Sequence, residues 1–317
     1  MTSPTPTTAG TASSVSLVVG SCISLQFGAA TAAELFPVLG SWGVTALRLS
    51  IAAAILLVAV RPRADRWTRH QWRSVLVLGV ALAGMNGFFY ASIARIPLGV
   101  AVAIEFLGPL LLAACLSRRR RDLLCVATAL GGMVLLGLEN AFTATSLNPS
   151  GVAFALVAAG FWALYILATA KVGDSVQGSG GLAVALAVAA VCVLPAGASG
   201  AAVALSDPHL LAIAVLTAVL ASVIPYTLEL SALRRLPRHV FGVLLAFEPV
   251  MALIAGGLLL GQPVGVTRLA AIALVVAASI GITASNRPNA AGGASDRSAP
   301  SHPPAVGPPP HAVTHAG

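Results

Sequence analysis

An all-α integral membrane protein is the fold class this sequence predicts, with ten transmembrane helices arranged as two inverted five-helix repeats. Composition, the size of the apolar blocks and one recurring segment carry that prediction. Of the 317 residues, 57% are hydrophobic and only 9% charged, whereas roughly one-quarter of a soluble domain is charged. The apolar residues gather in blocks of about 20, the length that bilayer thickness demands of a spanning helix. Short segments alternating between polar and apolar residues are absent. Of the two architectures that satisfy their backbone inside lipid, the helix is therefore selected over the barrel.

Windows of about 19 residues place the blocks near residues 14–33, 42–60, 73–93, 97–116, 122–139, 151–170, 180–199, 209–230, 238–260 and 265–284. The first follows a polar leader, "MTSPTPTTAGTASS", and the second runs into "RPRADRWTRHQWR", beyond which the third begins. The fourth ends at "SRRRRD", the fifth before "NAFTATSLNPS", and the sixth before Lys171. The seventh and eighth meet around Asp207-Pro208, "RRLPRH" separates the eighth from the ninth, and the tenth closes before Asn286. The leader and first block do not make a signal peptide, because a basic n-region is missing and the apolar stretch is long.

The organisation expected is a disordered leader over 1–13, one repeat over 14–140, a second over 151–285, and a disordered tail rich in Pro, Ala and Gly over 286–317. The tail has no apolar face to bury. Its His302, His311 and His315 are irregularly spaced and read as solvated side chains rather than metal ligands.

The net charge of +8 is not a nucleic-acid signal once it is divided between two faces of a membrane. With the N-terminus in the cytoplasm, the inside segments hold Arg61, Arg63, Arg66, Arg69, Arg73, Arg118 to Arg121, Lys171, Arg234, Arg235, Arg238, Arg287 and Arg297. These are 15 of the 18 basic residues. Arg95 and Arg268 fall outside. This positive-inside asymmetry predicts a multi-pass inner-membrane protein with both termini cytoplasmic, its basic residues serving secondarily as contacts for anionic lipid.

Several chemistries are missing. The four cysteines, Cys22, Cys115, Cys125 and Cys192, lie within apolar blocks without ligand spacing and read as small hydrophobes. No Walker loop, His-Glu-x-x-His or Gly-x-Ser-x-Gly occurs. The expectation is therefore no enzyme, no cofactor and no metal.

"ARIPLGVAVAIEFLGPLLLA" from Ala94 aligns without gaps, 140 residues on, with "RRLPRHVFGVLLAFEPVMAL" from Arg234, so that Arg95, Pro97, Val100 and Pro109 meet Arg235, Pro237, Val240 and Pro249. Both segments are the fourth helix of a five-helix half, and an odd number of helices inverts one half relative to the other. Pro109 and Pro249 cannot donate to the carbonyls four residues earlier. Helix breaks are expected there, opening the carbonyls of Glu105 and Leu245. Interrupted helices at matching places in two halves mark a midplane binding site.

Glu248, beside Pro249, corresponds to Gly108, three residues from Glu105, and residues three apart share a helix face. A carboxylate in mid-span costs about 2.5 to 3.5 kcal/mol on insertion scales and is functional by default. Either acid fits ligand binding, proton coupling or a helix-to-helix hydrogen bond. Glu229, within two turns of "RRLPRH", fits a pairing with Arg234 or Arg235 as well as a functional role. Arg48 inside the second helix offers five donors suited to a substrate carboxylate or a protein acid. Gln26, Asn86, Tyr90, Trp162, Tyr165, Ser222 and Tyr226 are the in-span groups able to orient a small polar ligand or to hold helices together.

"ELFPVLGSWGVTALRLSIAAAILL", "GMNGFFYASIARIPLGVAVAIEFLGPL", "FWALYIL" and "SVIPYTLELSALRRLPRHVFGVLLAFEPVMA" together resemble the EamA family of the drug/metabolite transporter superfamily, over roughly residues 15 to 285. The resemblance implies two EamA repeats and export of small amino acids of the threonine and homoserine kind by proton exchange. One departure is Gly261-Gln262, where the family commonly has Gly-Glu.

The mechanism these readings join into is proton antiport with alternating access. Arg48 and Asn86 would take the substrate carboxylate and Glu105 its ammonium, with Tyr90, Tyr165, Tyr226 and Glu248 completing the site. Glu105 and Glu248 would carry the proton. The partners expected are an amino acid, protons and the bilayer, with no nucleic acid. "GGMVLLG" and "AGGLLLG" permit close helix packing within one chain or in a homodimer. The alternatives are a broad-specificity drug or metabolite exporter of the same fold, and a non-transporting membrane scaffold. A membrane enzyme is disfavoured, since its paired carboxylates should sit at an interfacial loop with a metal or nucleophile.

Overall fold

A computed structural model of the chain describes residues 8–117, 123–132, 135, 147–176, 178–233 and 244–285. Among these residues every regular element is helical. They are α1 Thr8–Glu34, α2 Phe36–Val60, a short 3₁₀ turn Ala64–Arg66, α3 Arg69–Ile93, α4 Leu98–Glu105 and α5 Leu107–Ser117. After α6, Leu123–Gly132, come α7 Pro149–Ser175, α8 Gly180–Ser206, α9 Pro208–Ala218, a π turn Val219–Val223, α10 Ile224–Leu233, α11 Glu248–Leu260 and α12 Val266–Ser285.

Six helical stretches are long and apolar enough to cross a bilayer, and the others are shorter apolar helices. Their outward faces carry large apolar side chains, among them Val58, Val191 and Leu258, at 69%, 69% and 72% exposure. Water would not tolerate such a surface, whereas lipid matches it. The chain is a multi-pass membrane protein.

Helix boundaries follow local chemistry. α1 extends back to Thr8, into the stretch expected to be a disordered leader, because beyond Pro6 nothing interrupts propagation from the apolar segment. α2 starts at Phe36 rather than near residue 42, with Pro37 in its first turn, and bends at Gly40, whose φ of 69° favours glycine. α3 opens with a capping box in which Gln71 N–H donates to Thr68 Oγ1 and Thr68 N–H donates to Gln71 Oε1. The Gln71 side chain also donates to Ser175 O at 2.6 Å. That bond ties the Arg61–Arg73 stretch to the end of α7.

Both expected breaks occur. The fourth block is divided at Phe106 into α4 and α5, and in the ninth the helical residues 244–245 give way to a turn at Ala246–Phe247 before α11. Pro109 and Pro249 thus fall in the first turns of new helices, where a missing N–H costs nothing.

Packing pairs the early helices with the late ones: α1 lies against α10 and α11, α2 against α8, α3 against α7 and α8, and α4 against α11 and α7. The α2–α8 contact is backbone-close, since a Cβ on Gly43 would lie 2.9 Å from Gly200 Cα, and one on Gly200 would strike Leu39 O. α4 is enclosed, with all of its residues from Leu98 to Glu105 buried. Of the Gly-rich stretches, Gly132 in "GGMVLLG" packs against Ala271 O of α12 within the chain.

Candidate functional site

The buried polar side chains converge where α2, α3 and the π turn meet. Arg48 on α2 is 2% exposed. Its Nη2 donates to Asn86 Oδ1 on α3, its Nη1 donates to Ala221 O in the π turn at 3.3 Å, and its carbon Cζ lies 4.3 Å from the Tyr90 ring centroid. Asn86 is oriented in turn, its amide donating to Leu82 O at 2.7 Å. Fixing the Asn86 nitrogen on the backbone leaves its oxygen for the guanidinium. Tyr226 on α10 reaches the same Asn86 side chain and feels the Arg48 charge.

Two donors in this cluster are left over. Arg48 Nε and the Tyr90 hydroxyl have no hydrogen-bond partner, although Tyr90 is fully buried. A buried unpaired donor costs about 1–3 kcal/mol. Both belong to side chains already held by their neighbours, and the guanidinium and the ring lie against each other.

The acids surround it. Glu105, 7% exposed, closes α4 and lies within electrostatic reach of Arg48. Glu248, 5% exposed, opens α11 and interacts with Glu105 and Glu229. At a helix N-terminus the Glu248 carboxylate faces the positive end of the backbone dipole. Glu105 instead stands at the negative end of α4. No hydrogen bond to either carboxylate is present among the described residues. Gly108, corresponding to Glu248 in the sequence alignment, has no room for a side chain, since a Cβ there would collide with Ala159 O of α7.

Glu229 has a partner on α1. Ser21 Oγ on α1 donates to its Oε1 at 2.7 Å, while Arg234 and Arg235 lie outside the described residues. Tyr165 on α7 lies within electrostatic reach of Glu229, Tyr226 and Glu248. Of the other polar candidates, the buried Gln26 Oε1 and Ser222 Oγ have no partner, and Trp162 packs edge-on against Phe106 at the α4–α5 break.

Sequence reasoning missed Ser21 and the π turn. The available signal for the latter was Pro225, a further proline inside an apolar block. It also missed a cavity of about 780 Å³ at the end of the bundle where α1 meets α2, lined by Phe36, Trp42, Arg95, Ser199 and Gln262 among others. The cavity is separate from the Arg48 cluster, but Phe36 in its wall packs on the Tyr90 ring, centroids 5.6 Å apart. Gln262, the position of the departure, accepts a hydrogen bond from Leu98 N–H at 3.0 Å through Oε1. Its amide thus caps the buried start of α4.

A lipid-facing helical bundle with a buried charged centre and broken helices is the build of a membrane carrier. Residues 149–284 match the EamA-like transporter family, and the chain belongs to that family. It is 40% identical over 260 residues to the threonine/homoserine exporter RhtA of Salmonella typhimurium (strain SL1344), covering 82% of this chain and 88% of that one. Identity to the protein of the same name from Escherichia coli (strain K12) is 39% over the same shares. A solved structure described as "Crystal structure of protein" superposes with a TM-score of 0.56 at 19% identity, over 86% of this chain and 97% of its own. That likeness speaks for the fold alone.

Proposed function

We propose that this protein exports small zwitterionic amino acids of the threonine and homoserine kind from the cytoplasm in exchange for protons. The observation that carries the proposal is the pair of buried donors without an acceptor, Arg48 Nε and the Tyr90 hydroxyl, one of them part of a guanidinium. A substrate carboxylate supplies that acceptor, and the names of the relatives point to the same substrate class.

The far end of such a substrate is an ammonium. The buried charged residues among those described are Arg48, Glu105 and Glu248, one cation against two acids. The excess negative charge is neutralised by a proton or by the substrate ammonium. Competition of the two for Glu105, with Glu248 as the second acid, gives antiport. Tyr226 on α10 and Tyr165 on α7 complete the site.

Alternating access rests on the inverted repeat. If α1, α2, α3 and α4 correspond to α7, α8, α9–α10 and α11, the contacts α2–α8 and α4–α11 map onto themselves, and α1–α10 exchanges with α3–α7. A pseudo-two-fold relation requires this pattern of pairings, and it supports two five-helix repeats. Helix direction puts the 780 Å³ cavity at the end opposite the Arg61–Arg73 segment. With both termini cytoplasmic, it is an outer vestibule separated from Arg48 by Phe36 and Tyr90.

The test is efflux from cells loaded with labelled homoserine, threonine and a panel of other amino acids, with and without an uncoupler. Uncoupler-sensitive efflux confined to small amino acids is expected; efflux insensitive to the proton gradient overturns the coupling. The cavity is also within the range of drug-sized ligand sites, which favours a broad metabolite exporter as the second reading. Equal efflux of bulky panel members would establish it.

A further inference from the structure

Pro225 lies one residue beyond Ile224, whose N–H closes the π turn onto Val219 O. Having no N–H, it can donate neither to Leu220 O, five residues earlier in the register of the turn, nor to Ala221 O, four residues earlier. The Ala221 carbonyl is the one Arg48 Nη1 reaches at 3.3 Å. The neighbouring Leu220 O is reached from α1, by Ser24 Oγ at 2.7 Å. Gly28, one turn beyond Ser24, lets α1 approach so closely that a Cβ there would lie 2.7 Å from Ala221 N. The break in the α9–α10 helix is thus clamped by α1 on one side and presents the Ala221 carbonyl to Arg48 on the other.

We propose that Pro225 is a positioning residue for substrate recognition: by interrupting the helical bonding at Leu220 O and Ala221 O, it frees the Ala221 carbonyl as an anchor that fixes the direction of the unpaired Arg48 Nε over the Tyr90 ring. The guanidinium is held at three points, by Ala221 O, by Asn86 Oδ1 and by the Tyr90 face. Removing the Ala221 anchor leaves one hydrogen bond and a ring face, about which the planar group rotates. Nε then loses its fixed direction while Arg48 keeps its charge. A π turn is a recurrent device at functional sites, and here its chemical output is one oriented carbonyl. This assignment rests on Arg48 as the carboxylate-binding group.

The experiment is counterflow of labelled homoserine in proteoliposomes, with KM and maximal rate normalised to monodisperse protein. The variants are Pro225→Ala, Arg48→Lys, the double variant, and Pro195→Ala as a control proline inside α8. Pro225→Ala restores an N–H that competes for Ala221 O. A KM rise of about fivefold or more is expected, with a maximal rate near wild type and no change in the control. In the Arg48→Lys background the substitution should add nothing, as a double-mutant cycle requires of a residue acting through Arg48. Gly28→Ala, which presses on Ala221 from the α1 side, is the second route and should raise KM in the same background-dependent way.

If Arg48→Lys leaves KM unchanged, the carboxylate-binding reading fails and the positioning role falls with it. If Arg48→Lys raises KM but Pro225→Ala and Gly28→Ala do not, or act equally in both backgrounds, the positioning role alone is overturned.

Discussion

Arg48→Lys is the substitution that asks most of the proposed site, because it keeps the charge and removes the geometry. The guanidinium has five N–H donors in a fixed fork. One nitrogen serves Asn86 Oδ1, another serves Ala221 O, and Nε is unpaired. A lysine ammonium has three donors on a single nitrogen and cannot lie flat on the Tyr90 ring, so it cannot satisfy both protein acceptors and a carboxylate together. The loss is one charge-assisted hydrogen bond, about 1.5–3 kcal/mol, which at about 1.4 kcal/mol per tenfold is a rise in KM of roughly 10- to 100-fold. Counterflow of labelled homoserine in proteoliposomes measures it. A KM within threefold of wild type, from protein that elutes as a single species, would refute the assignment of the carboxylate to Arg48.

Three further outcomes are expected. Glu105→Gln should weaken substrate counterflow by removing the ammonium's partner and abolish substrate-dependent proton movement; proteoliposomes of this variant exchanging protons at the wild-type rate would show that the coupling lies elsewhere. Gly200→Leu drives a side chain into Leu39 O across the α2–α8 contact, an overpacking cost of about 1–3 kcal/mol or more, and should lower the melting temperature of the detergent-purified protein; an unchanged melt would mean the two helices are not closely packed. Gln262→Ala leaves Leu98 N–H of the buried α4 without its acceptor, a loss of about 1–3 kcal/mol. Gln262→Glu should restore the melt, since a carboxylate accepts from the same N–H.

The division between what was legible and what was not runs along the range of the physics involved. Block length and composition are local quantities dictated by the bilayer, so the helices at 36–60, 69–93, 149–175 and 180–206 could be read to within several residues. The breaks ahead of Pro109 and Pro249 could be read as well, because a proline acts on its own helix. Charged and polar residues in apolar spans announce themselves by their cost, and so Arg48, Asn86, Glu105 and Glu248 were legible in the sequence.

Which groups those residues meet is another matter. The Ser21–Glu229 hydrogen bond joins positions 208 apart and the Arg48–Ala221 contact positions 173 apart, and no periodicity encodes such pairings. Nor does sequence show that Gly108 is barred from carrying an acid by Ala159 of α7, or that Gln262 caps α4. Sequence alone determined the material of this protein, its helices and where they break. Only tertiary packing decided that Arg48 would be gripped on three sides with Nε left over, because Asn86 and Tyr90 come from α3 and Ala221 from the π turn, elements that meet α2 only in the folded bundle.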